Sequence, residues 1–128
     1  MTVLDASVLI AHFDATDAHH RPAGTPLAAG ADEPLAASAR TLAEVLVGPA
    51  RAGQLDRGTA AVRELGVTSV GLADDAPARL AMLRATTALG LPDCCVLLAA
   101  EQANAAVATL NARLATAARE RGLTVRDQ

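Results

Sequence analysis

TVLDASVLIAHF, residues 2–13, changes its period within a few residues. The first four, TVLD, read as a short buried strand that ends on an acid, Asp5. ASVLIAHF then continues as a helix, with no linker between the two. A strand running straight into a helix opens a βα unit, and the rest of the chain can be compared with it.

Short apolar runs and longer helical patterns go on alternating. PLAAS, residues 34–38, is a second strand candidate. TLAEVLVGPARAG starts a helix with Thr41 as its N-cap and Glu44 at the capping-box position, in the first turn. A helix at roughly 54–65 leads into GVTSVGL, where Val67 and Val70 suggest a third strand. DDAPARLAMLRATTALG places Ala76, Leu80 and Leu83 on one apolar face, with an acidic first turn, Asp74–Asp75, and a terminal Gly90. LPDCCVLLAAEQA is the next helix, with Pro92 at its start. AVATLN is a strand, NARLATAARERG a helix with Gly122 after it, and LTV a last strand. Residues 18–33 form a weaker helix interrupted by Pro22, Gly24 and Pro26. The βα order predicts a three-layer α/β domain with a mostly parallel central sheet. No linker or internal repeat interrupts it, so residues 1–128 read as one domain.

Composition narrows the function. The chain has 128 residues, 52 % apolar and 20 % charged, which is globular and large enough for a real core. Phe13 is its only aromatic residue, so single-stranded nucleic acid cannot be held on a stacking platform. There is no lysine and the formal net charge is −3, so no whole-domain basic footprint points to nucleic acid. Phosphate contacts would come from a local arginine or from bound metal. Cys94 and Cys95 are adjacent, poor disulfide partners, and read as small buried thiols in a reducing compartment. His12, His19 and His20 lack zinc spacing and read as surface or loop residues. The N-terminus does not resemble a signal peptide, and no apolar run approaches the ~18 residues of a membrane span. A cytoplasmic protein is expected.

In open parallel sheets, ligands bind beyond the carboxyl ends of the strands. Asp5 lies at the end of the first strand and Asn111 at the end of AVATL. Glu44 and Asp93 lie near helix starts that face the same edge. Carboxylates gathered there repel, and Mg²⁺ or Mn²⁺, hard and oxygen-seeking, is the natural compensator. Such an ion lowers the pKa of water and steadies a phosphodiester under attack, so the pocket reads as a metal-dependent nuclease site.

VLDASVLIA, TLAEVLVGPAR, LPDCCVLLAA and VATLNARLATAARERGLTV together resemble a PIN domain, and more narrowly the VapC-type toxins of bacterial toxin–antitoxin pairs. The resemblance runs over nearly the whole chain in order; residues 18–33 match least. It implies an Mg²⁺- or Mn²⁺-dependent endoribonuclease, inhibited by a small VapB-like antitoxin and forming a homodimer. Asp5, Glu44 and Asp93 match the family's acids. Ser7 matches its small hydroxyl residue two positions after the first acid. Thr109 matches the hydroxyl residue before the last acidic position. Asn111 stands where family members often carry aspartate, which weakens a second metal site.

Each residue also has a plainer explanation. Asp5 and Asn111 are good N-cap residues, Glu44 could serve only Thr41, and Asp93 suits a helix dipole. Ser7 could bond the helix start, Thr109 reads as structural, and Arg113 as a solvated first-turn arginine or an RNA-phosphate contact. The competing function is a PIN-like binding or regulatory module without catalysis. A phosphoacceptor receiver would need a lysine, and a haloacid-dehalogenase-type phosphatase would need an Asp where Ser7 stands.

Overall fold

A computed structural model describes residues 1–14 and 33–126. Most of the weak helix expected over 18–33, together with His19 and His20, therefore lies outside the described residues. The elements run β1 (Thr2–Leu4), α1 (Ala6–Phe13), β2 (Leu35–Ser38), α2 (Ala39–Arg51), α3 (Leu55–Glu64), β3 (Val67–Val70), α4 (Ala76–Thr86), α5 (Leu91–Ala103), β4 (Ala106–Ala108), α6 (Ala112–Glu120) and β5 (Val125–Arg126). The strands form one parallel sheet in the order β3-β2-β1-β4-β5, with β1 at its centre. The expected α/β architecture is present.

Alternation along the strands divides the core. Val3, Ala36 and Val107 pack with Leu83 of α4, with Cys94 and Val96–Ala100 of α5, and with Leu114 and Ala118 of α6. Leu4, Ala37 and Ala108 point the other way, against Val8 and Leu9 of α1, Leu42, Val45 and Leu46 of α2, and Val62 of α3. Successive side chains on a strand face opposite sides, so the three buried residues on each of β1, β2 and β4 serve both layers. This gives α/β/α layering. The inner face of α5 is alanine, valine, leucine and two cysteines, small enough to lie close on the sheet. Both thiols are buried and unbridged, and burial pushes their pKa values up. Glu101 near the end of α5 accepts from Arg79 of α4 (3.2 Å) and from Arg121 beyond α6, tying that layer together.

Several local expectations need correction. Helix α2 begins at Ala39, two residues before Thr41: Ser38 is its N-cap, and the Ser38 hydroxyl oxygen accepts from the Thr41 N–H at 3.0 Å. β2 ends directly on a serine, an equally good cap, so the helix starts there and Glu44 falls in the second turn, without a capping role. Asp74 and Asp75 precede α4 rather than forming its first turn, and α4 ends at Thr86. Gly90 is instead the residue leading into α5. His12 is a half-buried helical residue whose ring meets Phe13 edge-on at 5.1 Å.

One glycine is required by packing. A Cβ built on Gly58 of α3 would lie 2.8 Å from Pro49 Cβ and 3.2 Å from Leu46 Cδ2, both on α2. Gly58→Ala should gain up to about 1 kcal/mol of helix propensity but lose ~1–3 kcal/mol by overpacking against a rigid ring. A Tm lowered by a few degrees in thermal melts is expected. A Tm equal to the parent's would mean that α2 and α3 separate freely.

Candidate functional site

Asp5 follows the last residue of the central strand, where α1 begins. Its backbone is extended, yet its side chain makes no cap bond to the helix. The carboxylate does something else. Ser7 Oγ donates to Asp5 Oδ2 at 2.7 Å, and Thr109 Oγ1 donates to the same oxygen at 2.8 Å. Both hydroxyls are themselves oriented by backbone. The Ser7 oxygen accepts from the Leu110 N–H (3.2 Å), and the Thr109 oxygen accepts from the Asn111 N–H (2.9 Å). With an N–H occupying a lone pair, each hydroxyl proton is turned toward the carboxylate, and such chains reinforce one another. Asp5 is 7 % exposed, so these charge-assisted bonds offset the cost of burying it. Thr109, fully buried after β4, is thus a positioning residue for Asp5 across 104 positions of sequence.

Asp93 lies in the first turn of α5, half-buried. Burial pushes its pKa above the ordinary carboxylate value, and repulsion from Asp5 and then Glu44 adds to the rise, while Arg113 opposes it. The three acids from β1, α2 and α5 therefore share one electrostatic neighbourhood. Glu44 is the outermost, its side chain 39 % exposed and paired with Arg40 Nη1 at 2.6 Å. That i,i+4 spacing could have been noticed in the sequence. Among the described residues, no three His, Cys, Asp or Glu side chains form a group that could hold a metal ion as they stand. The donors suit Mg²⁺ or Mn²⁺ in kind, being oxygen anions whose mutual repulsion is felt at Asp93. Glu44, however, is committed to an arginine.

Asn111 acts as the N-cap of α6. Its Oδ1 accepts from the N–H groups of Arg113 (3.0 Å) and Leu114 (3.4 Å). The amide oxygen that could have met a cation is spent on the helix, and the side-chain amine remains. Arg113 is exposed and reaches from α6 to the Ala88 carbonyl at 3.0 Å.

A PIN domain family model matches residues 2–120. No curated protein matches the sequence. Among solved structures, a toxin–antitoxin complex from Klebsiella pneumoniae is 27 % identical, with a TM-score of 0.73 and 87 % of each chain covered. VapC20 of Mycobacterium tuberculosis, a sarcin-ricin loop cleaving toxin, is 17 % identical with a TM-score of 0.70, over 91 % of this chain and 95 % of that one. VapBC2 of Rickettsia felis, bound to a DNA fragment from their promoter, is 16 % identical with a TM-score of 0.72, over 98 % and 97 %. At such identities the last two speak for the fold alone.

Two outcomes test the electrostatics. Thr109→Val removes a buried charge-assisted bond and should lower stability by about 1.5–3 kcal/mol, while Thr109→Ser retains most of it. Denaturant titration compares them; equal stability of Val and Ser variants would remove Thr109 from its role. For Asp93 the sign is opposite. A raised folded-state pKa means the folded protein binds that proton more tightly than the unfolded chain, so stability falls as pH rises toward neutrality. Asp93→Asn should match the parent in acid and exceed it at neutral pH in metal-free buffer, and a parent more stable at neutral pH would contradict the repulsion.

Proposed function

The chain belongs to the PIN domain family, and from that premise we propose that it is a metal-dependent endoribonuclease, the toxin of a toxin–antitoxin pair. The observation carrying this is Asp93, whose burial and repulsion by Asp5 and Glu44 are only partly offset by Arg113, beside a carboxylate, Asp5, that two hydroxyls hold in place. Such an arrangement costs stability on its own and suits a site built to receive a cation.

Asp5, Asp93 and Glu44 would hold Mg²⁺ or Mn²⁺. Such an ion, when bound, neutralises charge on the phosphodiester and lowers the pKa of water. The chain's residues then divide the work. Ser7 and Thr109 keep Asp5 from turning away. Asp93 would contribute a second carboxylate, where positive charge would relieve the repulsion from Asp5 and Glu44. Glu44 joins by exchanging Arg40 for the ion, and an exposed i,i+4 pair worth about 0.3–0.5 kcal/mol is a weak competitor. Asn111 contributes an amide N–H and the alignment of α6, with no negative charge of its own. Water adds across the P–O bond, one oxygen leaving with the proton that water gives up.

The antitoxin reading has its own support. Ile10, Phe13, Val45, Leu46, Pro49 and Val62 line a groove of about 270 Å³ between α1, α2 and α3. Ile10 and Phe13 are exposed there, and an amphipathic segment of a VapB-like partner would cover them. A C2 homodimer in the cytoplasm completes the proposal; among the described residues no helix is long and apolar enough to cross a membrane.

Asp5→Asn and Asp93→Asn should each reduce Mn²⁺-dependent cleavage of single-stranded RNA by at least about 100-fold, since even residues that merely support a metal ligand cost 10–100-fold. Parent-like cleavage by both variants would discard the assignment. The Arg40–Glu44 pair favours a second reading, a PIN-like binding module without catalysis. Calorimetry separates the two: heat of Mn²⁺ binding at millimolar ion supports the nuclease, and its absence supports the binding module.

A further inference from the structure

The nuclease reading leaves one cleft unused. It lies between the segment joining α4 to α5 and the exposed side of α6, has a volume of about 430 Å³, and is lined in part by Thr86, Ala88, Arg113, Thr116 and Glu120. It is linked to the acids through Arg113, which opposes the repulsion at Asp93. Arg113 is in the first turn of α6, directly after the Asn111 cap, and its Nη2 donates to the Ala88 carbonyl. Ala88 belongs to the segment that leads through Gly90 into the first turn of α5 and Asp93. That single bond uses one of several guanidinium N–H donors.

The rest of the lining is largely apolar, with Leu89, Ala112 and Ala117, and its polar groups are acceptors. The Thr86 hydroxyl donates to the Met82 carbonyl at 2.7 Å and the Thr116 hydroxyl to the Ala112 carbonyl at 3.0 Å. Their protons are spent on helix carbonyls, so both present lone pairs to a ligand. The Glu120 carboxylate adds acceptors of its own. One cation, Arg113, which acts electrostatically on Asp93, and several acceptors therefore line the same cleft.

We propose that this cleft seats the nucleotide flanking the scissile phosphate of a single-stranded RNA. Arg113 holds its phosphate, the threonine oxygens meet the ribose 2′-hydroxyl, and Glu120 accepts the paired N–H groups on the Watson–Crick edge of guanine. The proposal rests on the nuclease reading and adds a subsite to it. Bases cannot be held here by stacking, because Phe13 is the chain's only aromatic residue and lines the groove of α1–α3, in the layer on the other face of the sheet. Recognition without stacking has to come from hydrogen bonds in a concave site, and splayed single-stranded bases offer the donors. The volume falls in the range of small-ligand pockets. A protein partner suits it less, since interface cores are poor in charge and this lining carries Arg113 and Glu120.

The test uses three substrates (guanine-containing RNA, adenine-only RNA and a simple diester) and four forms of the full chain: the parent sequence, Arg113→Gln, Thr116→Phe and Glu120→Gln. RNA affinity is read by fluorescence anisotropy in an Asp5→Asn background, so that bound RNA is not cut. Mn²⁺-dependent hydrolysis of bis(p-nitrophenyl) phosphate, a diester with no base or ribose, is read without that background. Thr116→Phe fills the cleft and Glu120→Gln removes the guanine acceptor, so each should weaken guanine-containing RNA roughly tenfold. Both should leave diester hydrolysis unchanged, and adenine-only RNA should respond to Thr116→Phe but not to Glu120→Gln. Arg113→Gln should weaken every RNA and flatten the salt dependence by about 0.7 in log–log slope. RNA affinity unchanged in both Thr116→Phe and Glu120→Gln overturns the proposal, as does a Thr116→Phe variant that separates a dimer while binding RNA normally. Absence of RNA binding in the Asp5→Asn background overturns it too. If RNA binds as expected but the parent sequence hydrolyses neither RNA nor the diester, the nuclease reading fails and the subsite stands as a binding site.

Discussion

A carboxylate buried at the end of the central strand constrains everything at that edge of the sheet. Asp5 cannot be left without partners in a site that is nearly closed to water, because an unpaired buried charge costs several kcal/mol. Its partners come from two different βα corners: Ser7 from the first turn of α1 and Thr109 from the turn between β4 and α6. The turn between β4 and α6 also supplies both N–H groups that orient the hydroxyls, those of Leu110 and Asn111. The acid therefore cross-links the two βα corners between which a ligand would enter, and its direction is set by backbone rather than by flexible side chains.

Around that fixed point the charges are compensated unevenly. Arg40 serves Glu44 and Arg113 stands near Asp93, while Asp93 still feels both of the other acids. The exposed arginine pairs are weak and easily exchanged, whereas the buried Asp5 cluster is not. The site thus combines one rigid carboxylate with two adjustable ones. That division suits a centre that must accept an ion and a phosphate in turn, and it explains why Asn111 can give up its oxygen to a helix cap without loosening Asp5.

The core that supports this edge is built from small residues. Alanines at 36, 37, 99, 100, 106, 108, 115 and 118 are buried and let helices approach the sheet closely. With so few large side chains, position-specific contacts such as Gly58 against Pro49 carry more of the packing. The groove beside that contact and the cleft beside Arg113 lie in different helical layers, so a groove without a cation in its lining is kept apart from a cleft that carries Arg113 and Glu120.

Periodicity alone was enough to recover the alternation of strands and helices, the parallel sheet, and Asp5 at a strand's carboxyl end, because those signals are local and repeat within a few residues. Local signals also misled where two cap-forming residues compete: Thr41 and Ser38 are both good caps, and only the end of β2 decides that the helix starts at the serine. Thr109 read as structural because nothing near it in sequence needs its hydroxyl; the need arises from β1 and β4 lying side by side. The same is true of Asn111, whose two possible uses were distinguishable only once its oxygen had a helix N-terminus to cap, and of the cleft under Arg113, formed by segments 25 residues apart. Strand order determines which distant side chains meet, and strand order is a property of the packed sheet rather than of any stretch of chain.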